Sequence, residues 1–125
     1  MSRYESYLRD RQEQAHQARG DAEAQLVTQL DNGEALSVAV AAVARTRAVS
    51  RWWDTAVTAV DHEGLDPVDA LIRTREAARH VLIDQASPRA ACPFVQGFAT
   101  AAVEAARTFY QDTAHLDEIT VRRAS

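Results

Sequence analysis

Seven residues divide this chain into helix-length blocks: Gly20, Gly33, Gly64 and Gly97, with Pro67, Pro88 and Pro93. These two residue types disfavour a helix interior more strongly than any other. The stretches between them are rich in Ala, Leu, Arg, Glu and Gln, which lose least on entering a helix. The pattern predicts an all-α fold: a four-helix up-down-up-down bundle over residues 1–116, then a short extended tail at 117–125. A chain of 125 residues fits one such domain.

The first block covers residues 2–32, and Asn32-Gly33 reads as its stop, with Gly33 supplying a left-handed residue. Glu5, Arg9 and Glu13 stand at i, i+4 spacing along it. Its apolar stripe, Tyr4, Leu8, Ala15, Ala18, Ala22, Leu26 and Leu30, has roughly heptad spacing, with Arg11 in the seam and a bend expected at Gly20. The second block, residues 34–62, ends at Gly64 and carries two neighbouring stripes. Leu36, Val40 and Val43 form the first, and Val49, Trp53, Ala56 and Val60 the second, so this helix should touch several neighbours and be central.

Asp66-Pro67 is a firm start signal, an N-cap acid followed by proline at the first helical position. The third helix should run to about residue 86, burying Val68, Leu71, Ile72, Ala78 and Leu82. A tight turn at 88–92 and a fourth, deeply packed helix from Pro93 follow, with Val95, Phe98, Ala102, Ala105 and Phe109 on one face.

Composition narrows function mainly by exclusion. All 14 basic residues are Arg, so neither a Schiff-base lysine nor a phosphate-loop lysine is available. A net charge of −4 argues against a general nucleic-acid binder, which must neutralise many phosphates. The longest apolar run, residues 35–44, is interrupted by Ser37 and is too short to span a bilayer, so no membrane partner is expected. A single cysteine, Cys92, and a polar start with no signal-peptide pattern suggest a cytoplasmic setting.

Two constellations carry chemistry. Arg45, Arg47, Arg51, Trp52 and Trp53 lie close together, and adjacent helical residues point about 100° apart, so one Trp faces the core. Trp53 fits the stripe and Trp52 falls off it, beside Arg51, in the manner of a protein-interface anchor. Alanine supplies about one residue in five, and seams of such small side chains bury little area, which favours a second subunit. The leading expectation is therefore a non-enzymatic helical interaction or assembly protein, a homo-oligomer or a subunit of a larger complex, with Arg47, Arg51, Trp52 and Tyr110 at the interface. The second constellation is a set of acid–histidine pairs at helical spacing: Glu13 with His16, Glu76 with His80, and Asp112 with His115. Two-metal carboxylate bundles are built from such pairs, so the alternative is a bundle, catalytic or otherwise, that binds Fe, Mn or Zn. A third reading makes the stretch from Arg45 to Trp53 a DNA contact.

Overall fold

The computed structural model describes residues 3–84 and 93–116. They form four helices, α1 (Arg3–Thr28), α2 (Gly33–Glu63), α3 (Pro67–Asp84) and α4 (Pro93–Asp112), packed as an all-α bundle. Among the described residues no helix is long and apolar enough to cross a membrane.

Local chemistry accounts for most of the boundaries. The Asn32 side chain accepts a hydrogen bond from the Ala35 amide at 3.3 Å and caps α2. Gly33 therefore opens α2 instead of closing α1 in a left-handed conformation; α1 ends in a hydrogen-bonded turn around Gln29. The left-handed glycine is Gly64, at φ 71°, whose amide bonds back to the Ala59 carbonyl. The Asp66 carboxylate then accepts from the Val68 amide at 3.1 Å, with Pro67 at the first position of α3. Pro93 opens α4 as the sequence predicts, and α1 runs through Gly20 without interruption. The expected turn at 88–92, the end of α3 beyond residue 84 and the tail at 117–125 lie outside the described residues.

Helices α1 and α2 pair antiparallel in a regular register. Arg9 meets Asp61 at 2.7 Å, His16 meets Asp54 at 2.6 Å, and Glu23 meets Arg47 at 3.1 Å. Each rung lies seven residues from the last on both helices, the spacing of charged positions flanking a coiled-coil seam. Inside that edge, Leu8, Ala15 and Ala22 are buried on α1, and Val57, Ser50 and Val43 are buried on α2, again at sevens. The seam therefore narrows towards the α1–α2 turn.

The core lies at the opposite end, where the start of α1, the end of α2, the start of α3 and the end of α4 meet. Trp53 and Phe109 cross edge-to-face at 4.7 Å, and Leu8, Val57, Leu71 and Leu116 close around them. Helix α2 touches all three others, as its two stripes predict. Ala18, Leu30, Val40 and Ala102 depart from expectation, being exposed; Ala18 lies at the margin of the buried arc of α1, and Leu30 and Val40 stand towards the α1–α2 turn. At 1.5 Å per residue, the 18 residues of α3 reach back along only part of the 31-residue α2.

Candidate functional site

Among the described residues, the tip of the α1–α2 hairpin is the most unusual surface. Residues 35–44 are apolar at every position but Ser37, yet only Ala39 and Val43 are buried. A helix apolar on all sides is normally enclosed. Here Val38 is 72% exposed and Val40 51% exposed, and two residues of helix separate them by about 200°, so opposite sides of α2 are open. Across the turn, Val27 is 68% and Leu30 59% exposed. One more step of seven beyond the Glu23–Arg47 rung lands on Leu30 and Val40, so the polar edge ends in an apolar rung.

The sequence-derived interface residues are differently employed. Trp52 is half-buried and stacks on Phe109 at 5.9 Å, packed against the core. Tyr110 carries the Arg75 guanidinium over its ring at 3.9 Å. Arg47 is exposed but paired with Glu23, and Arg51 is exposed. Both expected aromatic anchors are thus engaged within the chain. Trp53 is fully buried and offers no face for stacking a base.

The six candidate metal ligands do not converge. Glu13 is exposed, His16 is held by Asp54, and Asp112 pairs with Arg11 across α1 and α4. Glu76 lies on the outside of α3, near Arg79 at 3.3 Å and His80 at 3.7 Å, and His115 meets the edge of Tyr7 at 5.3 Å. Among the described residues no three His, Cys, Asp or Glu side chains are grouped to hold a metal ion. His16 stands mid-way along α1 and His80 near the end of α3 away from the core, so the acid–histidine pairs sit at different levels of the bundle.

Charge is managed by local pairing. Burial pushes the Asp54 carboxyl up, and hydrogen bonds from His16 and Gln12, with the nearby Arg19 charge, outweigh it and hold the group below the ordinary value. Gln12 donates to Asp54 Oδ1 at 2.8 Å, and Arg19 donates to His16 Nδ1 at 3.4 Å, leaving the His16 Nε2 proton facing Asp54. The Arg9 hydrogen bond likewise lowers Asp61, and the Arg73 hydrogen bond lowers Glu63. Burial raises the Tyr7 phenol, opposed by Arg11 and reinforced by Asp112.

No family model, no curated protein and no solved structure matches this chain.

Two features escaped the sequence reading. Arg75, buried in α3, donates from Nε to Thr113 Oγ1 at 2.8 Å and from a terminal nitrogen to the Tyr110 carbonyl at 3.1 Å, a cation at the end of α4. The exposed apolar tip was signalled by residues 35–44 being apolar on every side, a pattern that excludes a membrane span by length and leaves an unfilled surface.

Proposed function

We propose that this protein works by binding, as a non-enzymatic helical assembly protein that forms a homo-oligomer or a subunit of a larger complex in the cytoplasm. One observation supports the reading above others: the stretch 35–44, apolar except at Ser37, is packed on one side of α2 and left open on two others. Leaving such side chains in water forgoes about 25 cal/mol for each Å² that a partner would cover. Large exposed apolar patches mark sites of protein association. In this reading Val27, Leu30 and Val40 supply the contact on one side of α2, with Arg47 and Arg51 along its margin, and Val38 lies on the other open side.

Native mass spectrometry of the protein drawn from its own cells under mild conditions tests the proposal. The expected species is heavier than the 13.8 kDa chain, whether by self-association or by a second protein. A bare single chain under every mild condition overturns it. Stoichiometric Fe, Mn or Zn in the same sample would replace it with the metal-bundle alternative.

A further inference from the structure

We infer that the tip of the α1–α2 hairpin is a self-association surface, occupied by the same tip of a second copy in antiparallel, two-fold order. The inference rests on the assembly reading above and names its partner. The charges around the apolar stretch motivate the choice. Asp31, exposed, precedes it at the turn, and Arg47 and Arg51, both exposed and on the Val40 side of α2, follow it, Arg47 paired with Glu23 and Arg51 beyond it. A two-fold axis at Val40 reverses the second copy, so the acidic end of each tip lies against the basic end of the other. A parallel arrangement would set Arg47 and Arg51 against their own copies. The pairing also continues the hairpin's own pattern, in which Arg9, His16 and Glu23 find opposite partners on α2 at steps of seven and the next step reaches Leu30 and Val40. The last rung differs from the others in chemistry. It presents an apolar pair to solvent on the side of α2 where Arg47 also lies.

Size sets the strength. Val27, Leu30 and Val40 with their rim cover less than the roughly 1,200 Å² of a standard stable interface, so the dimer is of the weak, reversible class. Its dissociation constant should fall in the micromolar range or above.

Sedimentation velocity of the purified full chain, from about 10 μM to about 1 mM, tests the inference. The expected result is a rise in average mass towards twice 13.8 kDa. Val40→Glu should weaken the association at least about tenfold, placing a carboxylate against its own copy on the axis, and circular dichroism should show an unchanged helical fold because the site is exposed. Arg51→Glu should weaken it, and Arg51→Glu combined with Asp31→Arg should restore it, since the swap preserves opposite charges only in antiparallel order. A chain that stays monomeric throughout overturns the inference, and if it is assembled in its own cells the broader proposal survives with a different partner. Dimerisation indifferent to Val40→Glu overturns the assignment of the surface, as would failure of the charge swap to rescue.

Discussion

At Arg75 a charged side chain takes the place where a bundle would ordinarily put an apolar one. It is buried on α3, yet its donors reach Thr113 Oγ1 and the Tyr110 carbonyl, and its plane lies on the Tyr110 ring. Thr113 in turn donates to the Phe109 carbonyl at 2.7 Å, so one arginine ties the last turn of α4 to α3. Arg75→Met keeps the stem and removes the donors; the cost should be about 1.5–3 kcal/mol, the range for hydrogen bonds to a charged group, read from urea unfolding midpoints. Asp54 is of the opposite kind, a partly exposed acid held below its ordinary pKa because hydrogen bonds from His16 and Gln12 outweigh its burial. Its contribution is fully present above the unfolded-state value and is lost as pH falls through the lower folded-state value. Asp54→Asn should therefore flatten the acid limb of the stability curve, by about 0.5–1 kcal/mol for so exposed a pair. Parallel curves for the two proteins between about pH 6 and about pH 3 would show that the pair adds nothing.

Two glycines separate backbone effects from packing at the scale of the helix. An added Cβ meets nothing within 4 Å at either Gly20 or Gly64, so space is not the issue at either site. Gly20 lies inside α1 with ordinary helical φ, and Gly20→Ala should raise stability by about 0.5–1 kcal/mol through lower unfolded-chain entropy. Gly64 sits at φ 71°, and Gly64→Ala should lower stability by about 1–2 kcal/mol through left-handed strain alone. Thermal unfolding of both variants should shift in opposite directions. Equal shifts would remove the conformational account of these positions. The contrast also marks what was legible in the sequence. Gly64, Asp66, Pro67 and Pro93 act through the backbone within a few residues, and each does in the structure what its type predicts. Asn32-Gly33 is ambiguous locally, since the pair can stop one helix or cap the next, and the bond to Ala35 decides for the cap. Arg11 looked misplaced in an apolar seam because its partners, Asp112 and the Trp53 ring, belong to other helices. Trp52 was readable as off the main stripe, but the stacking on Phe109 that occupies it depends on where α4 lies.

At the scale of the whole molecule, the buried side chains among the described residues are concentrated at one end of α2. Near residues 53–57 the helix is enclosed by Leu8, Leu71, Phe109 and Leu116, side chains that each contribute about 1.5–3 kcal/mol when buried. Towards the hairpin tip the seam passes through Ala15 and Ser50 to Ala22 and Val43, and its flanking rungs are surface pairs of about 0–1 kcal/mol each. Among the described side chains, the long α2 thus joins a more strongly held half to a more weakly held one. Elements with few buried apolar contacts open locally, below the free energy of global unfolding. Amide hydrogens of residues 50–60 should exchange only on global unfolding, and those of residues 36–44 at least about tenfold faster, measured residue by residue on a dilute sample. Raising the concentration should then slow exchange at residues 36–44 and leave residues 50–60 unchanged, because a second copy seated on Val40 shelters the tip and adds nothing to the core. Uniform protection along α2, independent of concentration, would mean that the thinning of the seam carries no energetic weight and that the exposed valines lie on a tip as firm as the rest.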